Sequence, residues 1–285
     1  ITDVDVKILS STFSGYKLDS LTISANFQNG DYSVQSLKLV SPYVQTHANG
    51  AGNLKSIKEA IVQVELGDLT ELGTVLNQEV TATGGFSAHV FGPFDSLTTT
   101  AALNLSDVKY GDIFVGSINN KSSVLLDNKK LFGESHLAVG SGKFQNINLD
   151  TLALGVRVDD LNFDYDLELT ANDSIKAYLS ALTSVDSTIK TDIKNLVLEL
   201  GQQMWASENK PMVVEYGQSR LNIENFVLNS QSQIISINGF MEPAGEQNVQ
   251  ITIKGLKVAP ILQFTGAALP WKLNGQIDLD AFVFG

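Results

Sequence analysis

The sequence contains no cysteine and only three histidines. A disulfide frame and a thiolate metal site are therefore excluded. Cysteine-free composition suits an envelope or extracellular protein that avoids oxidation chemistry. His47, His89 and His136 are far apart in sequence. His89 alternates with Ala88 and Val90, which puts it on the wet side of a strand. No metal site is expected. Zinc-protease, CxxC and nucleophile-elbow motifs are all missing, so no catalytic residue is assigned and the chain is read as a non-enzyme. Gly140-Ser141-Gly142-Lys143 lacks the upstream glycine of a phosphate loop, and Phe144 stands where Ser or Thr belongs. It is read as a hairpin turn. Basic residues are in deficit: 19 Lys and Arg against 31 Asp and Glu, a net charge of −12. Such a chain repels phosphate backbones and anionic headgroups, so nucleic acid is not an expected partner. No apolar run approaches the roughly 18 to 20 residues of a membrane-spanning helix. No signal peptide is seen and the first residue is Ile1, which predicts a processed product or an excised fragment.

What is abundant is alternation. Hydrophobic residues make up 43% of the chain, and many recur every second position. Leu21, Ile23, Ala25 and Phe27 do so, as do Val62, Val64 and Leu66, and Phe86, Ala88 and Val90. The clearest pair lies mid-chain. Leu152, Leu154, Val156 and Val158 form one row. After Asp159-Asp160, Leu161, Phe163, Tyr165, Leu167 and Leu169 form the next. Val249, Ile251 and Ile253, then Ile277 and Leu279, follow the same rule. Each run makes a strand with one dry face and one wet face. Asn29-Gly30, Asn49-Gly50, Tyr110-Gly111, Asp127-Asn128, Gly140-Ser141-Gly142 and Pro243-Ala244-Gly245 read as turns. Short connections favour antiparallel neighbours. Asp160, Asn162, Asp164, Asp166 and Glu168 form a row on the wet side of a strand. Tyr165 stands where a calcium loop needs glycine, so the row is read as a solvated face that discourages edge aggregation.

Helical signals are few. Residues 68–76 suit a short helix, with Leu69, Leu72, Val75 and Leu76 apolar. Residues 173–183 suit another, capped by Asn172 or Asp173 and carrying Ile175, Tyr178, Leu179 and Leu182 on one face. Residues 258–264 suit a third, with Pro260 in its first turn. The tally is on the order of 14 to 18 strands and about three short helices. Open sheets beyond about 10 strands curl or fold on themselves, and three short helices cannot cover so long an apolar face. The fold class expected is mainly β: a long, curved, antiparallel-rich sheet, groove-like, in one continuous elongated repeat domain over residues 1–285. The two central rows, with Val249, Ile251, Ile253, Ile277 and Leu279, are the candidate lining of an apolar groove.

Weak repeats cover about residues 55–120 and 245–285. Val62-Gln63-Val64 leads through Leu66-Gly67-Asp68-Leu69 to a strand ending Phe91-Gly92. Val249-Gln250-Ile251 leads through Lys254-Gly255-Leu256 to a strand ending Phe284-Gly285. The first copy continues through Gly92-Pro93-Phe94-Asp95-Ser96-Leu97 and closes on Val108-Lys109-Tyr110-Gly111-Asp112. This grammar of short helix, small-residue turn, strand, Gly-Pro-apolar-Asp step and Tyr-Gly turn resembles the TamB and AsmA-like envelope proteins. Leu97 departs from it, since the family often has proline there. The resemblance implies a taco-shaped periplasmic β-groove within an inner-membrane-anchored protein. It implies phospholipid acyl chains as the cargo, carried between inner and outer membranes, and no cofactor. It also implies an outer-membrane barrel assembly partner, in which case the chain would act as a scaffold or chaperone for outer-membrane proteins. A ligand-free structural β-solenoid or adhesin is the remaining alternative.

Overall fold

The computed structural model describes residues 2–13, 16–144, 147–243, 245–257 and 275–285. These form nineteen β-strands and one short helix. The contacts divide the chain into two units, Ile1–Gln145 and Asn146–Gly285. The first holds β1 (Thr2–Phe13), β2 (Tyr16–Gln28), β3 (Asp31–Val40), β4 (Val44–Asn53), β5 (Ser56–Leu66), α1 (Thr70–Leu76), β6 (Val80–Pro93), β7 (Ser96–Tyr110), β8 (Ile113–Asp127) and β9 (Lys130–Phe144). The second holds β10 (Ile147–Asp159), β11 (Asn162–Ala171), β12 (Ile175–Val185), β13 (Ile189–Leu200), β14 (Gln203–Ser207), β15 (Met212–Gly217), β16 (Arg220–Ser230), β17 (Gln233–Met241), β18 (Gln247–Lys257) and β19 (Gln276–Phe284). The class is mainly β and antiparallel, as the alternation predicts.

In the first unit each strand pairs antiparallel with the next, from β1 to β9. The second unit follows the same rule with one variation. Strand β13 is long enough to pair with both β14 and β15, and β16 then pairs with both of those. Tight turns make this possible. Asn29 and Gly30 both take positive φ, as do Asn128 and Lys129, and Gln218 and Ser219. Positive φ at both central residues defines the turn whose twist matches the flanking strands.

Three sequence expectations are corrected. Within residues 173–183, 175–183 belong to strand β12, and 173 and 174 lie in the turn before it. Asn172 and Asp173 do not cap a helix there; both have positive φ and turn the chain from β11 into β12. Pairing with β11 on one side and β13 on the other outweighs the local helical pattern. Asn49-Gly50 lies inside β4, and a Cβ at Gly50 would fall 2.8 Å from the Glu59 carbonyl oxygen. Gly140-Ser141-Gly142 lies inside β9, paired with β8, rather than at a hairpin tip. The helix expected at residues 258–264 falls outside the described residues.

Helix α1 forms where residues 68–76 were expected to be helical. Asp68 accepts from the Thr70 amide at 2.9 Å and also from the Thr70 hydroxyl. These bonds hold its carboxyl below the ordinary carboxylate range. At the other end Asn77 takes the left-handed conformation (φ 51°) and returns its amide to Gly73 and Thr74. The Tyr43 hydroxyl donates to Glu71 at 2.5 Å, and Lys17 Nζ lies 3.5 Å from the same carboxylate. The helix is thus tied to the β3–β4 turn and to the start of β2.

Bulges decide which side chains share a face. A strand alternates strictly, so one extra residue moves everything beyond it to the opposite side. In β3, Tyr32 and Val34 are even-numbered, whereas Leu37 and Leu39 are odd. A register shift between Val34 and Leu37 brings all four to one face. The same device operates between Ile57 and Ala60, Ile223 and Phe226, and Ile253 and Leu256. On β13 the shift opposite Ser180 and Ala181 brings Ile193 and Leu196 together.

Candidate functional site: an apolar sheet face

The cross-strand register orders the first unit's apolar face into rows running across the strands. One row is Leu21, Leu39, Thr46, Val64, Phe86, Leu103, Asn120 and Leu137, each directly opposite the next on β2 to β9. Its neighbour is Ile23, Leu37, Ala48, Val62, Ala88, Ala101, Ser122 and Ser135. The next is Ala25, Val34, Gly50, Ala60, Val90, Thr99, Val124 and Gly133. The two inner rows are dominated by small side chains, and the Phe86–Leu103–Leu137 row borders them with large ones. Beyond them on the far side stand Phe27, Tyr32 and Ile57, with the Tyr32 hydroxyl over Gly52. The side-chain relief is a furrow with a low floor. Eight strands at about 4.8 Å spacing give it a length of about 34 Å.

No Asp, Glu, Lys or Arg occurs in these rows. Most of their side chains are half-buried, and Phe86 is 39% exposed. Hydrophobic residues buried among the described residues are few: Ala25 and Tyr43 in the first unit, and Ala171, Ala181, Trp205, Met212, Leu228 and Leu256 in the second. The opposite face is mostly polar, with Ile61, Phe91, Leu125 and Phe132 as apolar exceptions. It carries His47, His89 and His136, with His89 Nε2 3.4 Å from Glu59.

In the second unit, Leu152, Leu154, Val156 and Val158 stand directly opposite Leu169, Leu167, Tyr165 and Phe163. The face continues on β12 through Ala177, Leu179, Ala181 and Thr183. Val249, Ile251 and Ile253 stand opposite Val283, Ala281 and Leu279, while Ile277 faces Leu256. The candidate lining residues therefore fall into two clusters separated by β12 to β17. Four of them differ in setting from the rest. Leu161 lies in the β10–β11 turn, because Asp159 pairs with Asn162, and it belongs to no row. Ile253 packs against a local core of Trp205, Leu228 and Leu256. Ile277 and Leu279 are 43% and 44% exposed.

Asn162, Asp164, Asp166 and Glu168 of the acidic row lie on the polar face of β11, while Asp160 lies in the β10–β11 turn; β11 is flanked on both sides and is no edge. Asp164 accepts from Lys194 at 2.9 Å, and Asp166 from the Tyr178 hydroxyl at 3.3 Å. The row is a hydrogen-bonded stripe across β11–β13. Among the described residues no cluster of three His, Asp or Glu is placed to hold a metal ion. No helix among them is long and apolar enough to cross a membrane.

Sequence reasoning selected lining residues only in the second half of the chain. The first unit's face, with Phe86, Leu103 and Leu137, carries the same alternation. Assembling it required the pairing register, which places residues far apart in sequence side by side.

Fold and face together define a class: an antiparallel β-meander whose strands present one charge-free apolar surface and one polar surface. No family model matches the sequence, and no curated protein or solved structure matches it.

Proposed function

We propose that the apolar face holds phospholipid acyl chains, and that the protein serves as a lipid-holding or lipid-conducting segment of the cell envelope. The observation that carries this reading is the first unit's furrow: three adjacent rows across eight strands, free of ionised side chains and only half-buried. A closed core would bury these side chains fully. An acyl chain in the furrow gains about 0.8 kcal/mol per CH₂ removed from water. Rows of small residues between larger ones suit a thin, flexible, apolar ligand better than a folded partner. The resemblance of residues 55–120 to TamB and AsmA-like proteins supports the same cargo and a periplasmic setting within an inner-membrane-anchored chain.

The test is mass spectrometry of protein purified without detergent exchange. Phospholipid should copurify with the wild-type chain and be reduced in Leu103→Asp, which sets a carboxylate beside Phe86 and Asn120. Lipid-free wild-type protein that also fails to take up phospholipid from vesicles overturns the reading.

A further inference from the structure

The apolar face of the first unit contains a hydrogen-bonded polar island. Asn120 and Ser122 of β8 and Ser135 of β9 meet on it, bordered by Leu103, Ala101 and Leu137. The Asn120 amide nitrogen donates to Ser135 Oγ at 2.9 Å and to the His136 carbonyl at 3.2 Å. A backbone carbonyl only accepts, so that contact fixes which end of the amide is nitrogen. Ser122 Oγ donates to Asn120 Oδ1 at 2.7 Å. Its single proton is then committed, so in the 3.0 Å contact between the two serines Ser135 is the donor. The three side chains close a ring in which every proton is used. Each of the three oxygens keeps one unused lone pair.

Asparagine and serine on a face given mainly to apolar residues cost desolvation that alanine or leucine would avoid. The ring offers acceptors and no donors. We infer that the Asn120–Ser122–Ser135 ring is a subsite for a hydrogen-bond donor on the bound lipid, a hydroxyl or an amide N–H beside the alkyl chain. The inference rests on the lipid-holding reading above and deepens it by naming the ligand's polar group. The island lies in the two rows that form the furrow's floor and wall, so an alkyl chain along the small-residue row of Ala88 and Ala101 brings its polar end to Ser122. An ether oxygen, which only accepts, finds no free proton in the closed ring, whereas a headgroup hydroxyl or N–H does find an acceptor.

Two isomers separate the cases: dodecanol, which donates, and methyl undecyl ether, which does not. Their affinities are read by displacement of a fluorescent fatty-acid probe from the full chain. The wild-type protein should bind the alcohol about five-fold or more tightly, the worth of one net hydrogen bond. In Asn120→Leu and in Ser122→Ala/Ser135→Ala the ratio should fall to near one while the ether's affinity holds or rises. Circular dichroism of each variant confirms that the sheet is retained. Equal affinities in the wild type, or a preference that survives both variants, overturn the subsite and leave the lipid reading standing. Failure of the folded wild-type protein to bind either isomer overturns the lipid reading and the subsite with it.

Discussion

The Tyr43 hydroxyl donates to the Glu71 carboxylate across 2.5 Å, joining the β3–β4 turn to the only helix among the described residues. The bond shifts both partners in opposite directions. Glu71 is held below its ordinary value, first by the Tyr43 hydroxyl and then by the Lys17 charge. Tyr43 is raised, first by Glu71 accepting its proton and then by burial. A lowered carboxylate stabilises fully above its unfolded value and ceases to as pH falls through its folded value. A raised phenol stabilises fully below its unfolded value and ceases to as pH rises through its folded value. Amide-exchange protection in α1 should therefore be flat around neutrality and fall at both the acid and the alkaline ends. Tyr43→Phe should lower protection at neutral pH and remove the alkaline fall. An alkaline fall that persists in this variant would show that Tyr43 does not govern it.

Phe86 and Met212 should respond oppositely to substitution. Met212 is fully buried, so Met212→Ala should cost about 2–5 kcal/mol in urea unfolding. Phe86 is 39% exposed on the furrow wall. Phe86→Asp should leave the β-sheet circular dichroism intact while weakening apolar probe binding roughly ten-fold. Global unfolding of Phe86→Asp would show a closed core at that position.

Gly239 has φ +125°, and a Cβ there would collide with the Asn248 carbonyl oxygen on the paired strand. Gly239→Ala should lower stability by roughly 1–3 kcal/mol. Gly30 also has positive φ, but a Cβ there meets nothing within 4 Å. Gly30→Asn should be near neutral, since asparagine tolerates this turn position. Matching urea midpoints for the two variants would contradict the assignment of the cost to the β17–β18 approach.

Lys194 and Asp164 form an exposed pair at 2.9 Å. Lys194→Ala should change stability by no more than about 1 kcal/mol and leave probe binding unaltered, because the pair lies on the polar face. Loss of probe binding would mean that the polar face takes part.

Alternation made the strands legible in the sequence, since Leu152 to Val158 and Phe163 to Leu169 need no partner to declare their period. The strand from Ile175 was hidden by two patterns laid over one another. Ile175, Ala177, Leu179 and Ala181 carry the period of two, but alanine is a weak apolar marker. Tyr178 and Leu182 complete a helical spacing while lying on the polar face, where Tyr178 reaches Asp166. The bulges were harder still. A shift from Val34 to Leu37 reads locally as broken alternation, and only pairing with β2 and β4 shows that it keeps one face apolar. The Asn120–Ser122–Ser135 ring spans two strands, so no local window of sequence contains it.

The pairing of each first-unit strand with its successor has a kinetic consequence. Every hairpin closes a short stretch of chain, so the entropy of bringing partners together is lost in small instalments. Each finished hairpin then exposes an edge that templates the strand after it. A chain delivered end first, whether from a ribosome or through a narrow translocation pore, can add strands in the order in which they emerge. It need never wait for a distant segment before its first residues find their partners.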